Sequence, residues 1–168
     1  MAAQYQSRTA EQIQTYAPAF HAPSTAGALV LVADDSEEDR FFLMRAFAAS
    51  GVKHPVHMLS SGAEVLDYMM GRGNFQNRAL YPLPKIVLLD LQMPHPNGFT
   101  VLRWSQSRHL PPILWVAMSQ FDTVRSINEA YAAGASTFLA KPLQADDIKN
   151  LVQAFEDFWL LARRSEWR

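Results

Sequence analysis

The chain contains no cysteine. That absence rules out a disulfide framework, thiol catalysis and thiolate metal sites, and it suits a reducing compartment. An excess of either charge is lacking too, with 15 basic residues against 16 acidic ones. Neither a polyanion-binding face nor an acidic tail is indicated, so no nucleic-acid partner is expected. No apolar run nears the length of a bilayer span, and the N-terminus lacks a basic segment followed by an apolar core. A cytoplasmic protein with no membrane attachment is the expectation. No glycine-rich loop follows the first apolar run, which argues against a nucleotide-binding protein.

What is present is apolar residue in quantity. At 168 residues and 49% hydrophobic content, the chain can bury one good core, which favours a single domain with tails. Residues 1–27 are rich in Ala, Gln, Ser, Thr and Pro, and read as a flexible N-terminal arm, with a short helix near Glu11 to Tyr16 as the alternative. The domain is expected to fill 28–168, including a long C-terminal helix.

Its centre is the stretch KIVLLDLQMP from Lys85 to Pro94. The unbroken apolar run Ile86 to Leu89 predicts a strand buried on both faces that ends on one carboxylate, Asp90. Four further strands are predicted over Ala28 to Ala33, Pro55 to Leu59, Pro112 to Met118 and Ser136 to Ala140. They end near Asp34 and Asp35, Ser60, Ser119 and Lys141. Helices are predicted from Ser36 to Ser50, after Gly62 to about Met70, from Phe99 to Ser107, from Phe121 to Ala133, and from Gln144 past Trp159. Ser36 and Asp39 stand at capping-box spacing at the start of the first helix. Gly71 to Pro84 reads as a long loop.

Five strand-helix units call for a parallel sheet with helices on both faces. In such sheets ligands bind beyond the carboxyl ends of the strands. Asp34, Asp35, Asp90, Ser119 and Lys141 should therefore meet at one rim. Crowded carboxylates repel unless a hard cation joins them, which implies Mg2+. A carboxylate beside such an ion can attack phosphorus, with a hydroxyl and an ammonium sharing the charge on the transferred oxygens. The set suits phosphoryl transfer to Asp90.

The acidic pair at 34 and 35, DLQMP at 90–94, Gly98, Ser119 and the pair Lys141-Pro142 together resemble the receiver domain of two-component response regulators, over about residues 28–160. The loop before the third strand and the ending EDFWL at 156–160 are similar to the single-domain response regulators paired with cyanobacterial and bacterial phytochrome histidine kinases. The resemblance implies a CheY-like, flavodoxin-like (βα)5 fold, doubly wound, with strand order 2-1-3-4-5. It implies Asp90 as phosphoacceptor, Asp35 as a direct Mg2+ ligand, Asp34 acting largely through water or by positioning ligands, and the Gln92 carbonyl completing the protein's ligands. Ser119 would hold one phosphoryl oxygen, Lys141 another or the Asp90 carboxylate before transfer, and Pro142 would follow a cis peptide bond. Ser119 and Phe138 would form the switch. The partner would be a histidine kinase of the phytochrome type, docking beside the first helix near Phe41 and Met44. Such a chain is a phosphoacceptor with self-dephosphorylation at most, not a turnover enzyme.

Departures from the family pattern are also legible. Gln120 replaces the usual small residue after Ser119, Asn97 the usual Asp before Gly98, and Phe138 an aromatic that is often Tyr. Gln92 and Phe121 flank the position of an attacking water. Gln120 keeps open a second reading, a phosphorylation-independent pseudo-receiver that serves as a binding module. A third, an Mg2+-dependent aspartyl phosphohydrolase, lacks an acid at Gln92 and room for a cap. Singly, each anchor has a plainer reading: Ser119 could cap the next helix and Lys141 could be solvated. His57, His95 and His109 have no paired metal spacing and read as surface or turn residues.

Two helices carry more apolar surface than one domain needs. On the first, Phe42, Leu43, Ala46 and Phe47 form the predicted inward face, leaving Phe41, Met44 and Ala48 outside. On the last, Ile148, Leu151, Val152 and Phe155 face the sheet, while Phe158, Trp159, Leu160, Leu161 and then Trp167 continue beyond it. A homodimer through the fourth helix, fifth strand and fifth helix is expected. Arg163 and Arg164 suit the C-terminal end of that helix dipole.

Overall fold

A computed structural model describes residues 29–165, with side chains to residue 157. The arm at 1–27 and the side chains of Phe158, Trp159, Leu160, Leu161, Arg163, Arg164 and Trp167 lie outside the described residues. Strands and helices alternate: β1 Val30–Ala33, α1 Glu37–Ser50, β2 Val56–Leu59, α2 Gly62–Met70, β3 Ile86–Asp90, α3 Gly98–Gln106, β4 Leu114–Ser119, α4 Val124–Ala133, β5 Thr137–Ala140 and α5 Ala145–Ser165. One 3-10 turn, Gly73–Phe75, interrupts the long loop. The strands form one sheet in the order β2-β1-β3-β4-β5, every pairing parallel. Both the topology and the flavodoxin-like, CheY-like architecture agree with expectation. No helix among the described residues is long and apolar enough to cross a membrane.

The central strands are apolar at nearly every position because both faces are covered, yet successive side chains serve different cores. Val30 and Val32, Ile86 and Leu88, and Val116 and Met118 pack with Leu43 and Phe47 of α1 and Ile148, Val152 and Phe155 of α5. Leu31 and Ala33, Val87 and Leu89, and Trp115 and Ala117 pack instead with α2, α3 and α4, through Val65, Tyr68, Val101, Leu102 and Ala130. The inward stripe read on α5 is thus observed.

Three local expectations fail. Phe42 does not face the core: it is 50% exposed, while Leu43 and Phe47 are buried and Ala46 packs partly buried beside them. The capping box is half made. Ser36 Oγ accepts the Asp39 N–H at 3.2 Å, but the Ser36 N–H goes to Asp34 Oδ1 at 2.9 Å, because the Asp39 carboxylate is drawn to Lys141. His57 is not the surface or turn residue expected; it lies on β2, within the strand predicted over Pro55 to Leu59, half-buried among the rings of Tyr68, Phe75 and Tyr81. His95 and His109 are exposed, as expected.

Candidate functional site

Register carries the acidic residues to one place. Ala33 of β1 pairs with Leu89 of β3, so Asp34 and Asp90, each one residue further on, stand side by side where the strand order turns back. Ligand oxygens of Asp34, Asp35 and Asp90 all lie within 4.8 Å of one another. Asp34 and Asp90 are buried and Asp35 is exposed. Oxygen donors, two held in the protein and one open to water, are the set that Mg2+ favours, so the residues fit that ion.

Lys141 enters from the far side of the sheet. Its backbone N–H donates to the Ser119 carbonyl at 2.9 Å, which extends the β4–β5 pairing by one residue, and the Lys141-Pro142 bond that follows is cis. The ammonium meets Asp34 Oδ2 at 2.5 Å, Asp39 Oδ2 at 2.9 Å and Asp90 Oδ2 at 3.1 Å, with its side chain only 8% exposed. Lys141 is therefore no solvated surface lysine. Burial works to lower its pKa, but the hydrogen bonds to Asp34 and Asp39 and the charges of Asp90 and Asp34 outweigh it, and the ammonium is held more firmly than an ordinary lysine. For Asp34 burial wins instead and raises its pKa, against the pull of Lys141 and the Ser36 N–H.

The remaining donors hold the carboxylates in place. Asp90 Oδ1 accepts the Gln92 N–H at 3.1 Å, and the Asp34 carbonyl accepts from the Arg40 guanidinium at 2.6 Å. Gly98 opens α3 directly against Asp90: a Cβ there would come within 2.3 Å of the Asp90 carbonyl oxygen, so no larger residue fits. Asn97 caps α3 by accepting the Thr100 N–H at 3.0 Å, so the replacement of Asp costs the turn nothing.

Ser119 is buried at the end of β4, beside the Asp90 strand. It does not cap α4, since Thr123 does; its Oγ accepts the Phe121 N–H at 3.0 Å, an arrangement that leaves its own hydrogen as a donor. Phe138 is half-buried and packs on the core side that holds α2, α3 and α4. Gln120 is exposed and, with Phe42, Leu43, Lys141, Pro142 and Leu143, rims a groove of about 290 Å³ beside the ammonium.

The structure thus brings together Asp34, Asp35, Asp90 and Lys141, with Ser119 on the adjoining strand and Gln92 bound through its N–H. Asp39 and Arg40 are parts of the site that sequence reasoning missed. The acidic run of the first turn of α1 reads as ordinary helix-dipole compensation, and nothing in its spacing says which carboxylate turns inward.

A family model described as the response regulator receiver domain matches residues 30–153. The probable methanogenesis regulatory protein FilR2 of Methanothrix harundinacea (strain 6Ac) is 30% identical over 142 residues, 82% of this chain and 86% of the relative. Among solved structures, the response regulator RPA3017 in red light signaling of R. palustris superposes with a TM-score of 0.68 at 32% identity, covering 79% of this chain and 93% of that one. The phosphorylated cyanobacterial phytochrome response regulator RcpA superposes with a TM-score of 0.65 at 26% identity, covering 80% and 95%.

Proposed function

The chain belongs to the response regulator receiver domain family, and from that premise we propose that it accepts a phosphoryl group on Asp90 from a histidine kinase and signals by protein contact. The observation that carries the proposal is the meeting of Asp90 with two further acids and the Lys141 ammonium 3.1 Å from its Oδ2. A phytochrome is the favoured kinase class, because relatives of this chain include a phytochrome response regulator and one in red light signaling.

In the proposed reaction an Asp90 carboxylate oxygen attacks the phosphorus of a phosphohistidine. The oxygen–phosphorus bond forms as the phosphorus–nitrogen bond breaks, and the imidazole leaves with the electron pair. Mg2+, when bound by Asp34, Asp35, Asp90 and the Gln92 carbonyl, supplies positive charge against the phosphoryl oxygens. Lys141 adds the fixed charge of its ammonium, and the Ser119 hydroxyl donates to another oxygen. The Gln92 N–H orients the carboxylate. Phe138 is the proposed aromatic switch, acting by packing alone since it has no hydroxyl. The kinase would dock on α1, where Phe41, Phe42 and Met44 are 55%, 50% and 41% exposed, next to the groove rimmed by Gln120 and Pro142. The chain would act in the cytoplasm as an acceptor, losing its phosphoryl group to water at most.

The test is intact mass after incubation with acetyl phosphate and Mg2+. The native chain should gain a phosphate adduct that disappears without Mg2+ and in Asp90→Asn. No adduct, under conditions that label another receiver, would replace this reading with that of a pseudo-receiver.

A further inference from the structure

Lys141 has three N–H bonds and meets three carboxylates, only two of which belong to the cluster that fits a cation. The third, Asp39, comes from the first turn of α1, and its oxygen at 2.9 Å is nearer the ammonium than that of Asp90 at 3.1 Å. The helix does not demand this placement. The backbone N–H of Asp39 is already satisfied by Ser36 Oγ, and a carboxylate at this position ordinarily turns back to the N-cap N–H. Here Asp34 takes that N–H, and Asp39 is free to compete for the lysine. An ammonium whose hydrogen bonds go to Asp34 and Asp39 presents less positive charge to Asp90, which it meets as an ion pair at 3.1 Å.

We propose that Asp39 is a positioning residue that withholds the Lys141 ammonium from Asp90 and so slows the rate at which Asp90 accepts a phosphoryl group. The proposal rests on the reading of Asp90 as acceptor. With acetyl phosphate as donor, the Asp90 oxygen–phosphorus bond forms while the bridging phosphorus–oxygen bond breaks, and acetate departs with the electron pair. Charge on the transferred oxygens is what Lys141 offsets, and each N–H held by Asp39 is one not turned toward them. Asp39→Asn keeps the side-chain shape and the backbone N–H to Ser36 while removing the competing charge.

The experiment compares the rate of adduct formation from acetyl phosphate at saturating Mg2+ for the full native chain, Asp39→Asn, Lys141→Met and the double variant. Asp39→Asn is expected to be faster by about threefold or more, the scale of one partly screened charge-assisted hydrogen bond. In the Lys141→Met background the same change should bring no gain. A rate for Asp39→Asn at or below the native one overturns the proposal. So does an equal gain without Lys141, which would mean that Asp39 merely repels the anionic donor. Should Asp39→Asn melt early, Asp39→Ser removes the same charge and takes its place. A native chain that forms no adduct would fell the reading of Asp90 itself, whereas a labelled native chain with no faster variant would fell only the role given to Asp39.

Discussion

His57 places a titratable ring among other rings, with centroids 5.4 Å from Tyr68, 6.0 Å from Phe75 and 5.8 Å from Tyr81. Burial there lowers its pKa below the ordinary 6.5, and the nearby charge of Glu64 offsets this only in part. The folded chain therefore keeps the ring neutral at a pH where the unfolded chain already binds a proton. Stability is full above about pH 6.5, falls as pH drops below it, and levels off once the folded-state value is passed. In urea titrations at a series of pH values, His57→Phe should show a shallower loss of stability from about pH 6.5 to 5 than the native chain. Equal slopes would assign the loss to other groups. The sequence put this residue on a strand but could not show its burial, because Phe75 and Tyr81 arrive only when the loop after α2 folds back over β2. Asp39 is a similar case: its type was legible, but its partner lies 102 positions away. Asp34, Asp90, Ser119 and Lys141 were legible because each ends a strand whose apolar run marks where the rim must be.

At the scale of elements, α2 shows how a loop can finish a helix. Gly71, at φ 65°, turns the chain, and the Gly71 and Arg72 N–H groups satisfy the Tyr68 and Asp67 carbonyls. The next carbonyl along, that of Met69, is met by the Arg78 guanidinium at 2.8 Å, which also reaches those of Tyr68 at 2.8 Å and Tyr81 at 3.2 Å. One side chain thus fastens the loop to the helix end. Arg78→Ala should lower unfolding stability by about 1–3 kcal/mol, measurable by chemical denaturation, because these half-buried carbonyls lose a charged donor. A change within about 0.5 kcal/mol would mean that water replaces the guanidinium without loss. The helix itself was readable from its caps and periodicity, whereas the 3-10 turn and the Arg78 clasp have no local signature. On α1 the reading of the inward face held for Leu43, Ala46 and Phe47 and failed at Phe42, for a different reason. Phe41, Phe42, Leu43, Met44, Ala46 and Phe47 encircle the helix with apolar side chains, so periodicity alone could not choose between Phe42 and its neighbours.

For the whole molecule, the proposed pairing of two copies would use the side of the sheet where β5 is the edge strand. On α4, Val124 is 76% and Tyr131 47% exposed, and no position of β5 is fully buried. These are the marks of a surface with room for a partner, and a second copy is the proposed one. Sedimentation velocity at micromolar concentration should give a dimer for the native chain and a monomer for Tyr131→Glu. A native monomer, with and without a phosphoryl mimic, would remove the dimer from the account. Helix placement and the parallel sheet followed from the alternation of apolar runs with helical stretches, and the strand order from the family resemblance, but no sequence feature says whether an exposed face has an occupant.

The alternation of β1, β3 and β4 between two cores has an evolutionary consequence. A one-residue insertion in any of these strands would exchange the side chains delivered to the two faces downstream of it, displacing both cores and the strand-end acids together. Length can change safely only outside the strands. The long loop between α2 and β3 enters β3 at the end opposite Asp90, so residues can be gained or lost there without shifting the rim. Descendants of this chain can therefore vary in size on one side of the sheet while the arithmetic of the other side stays fixed.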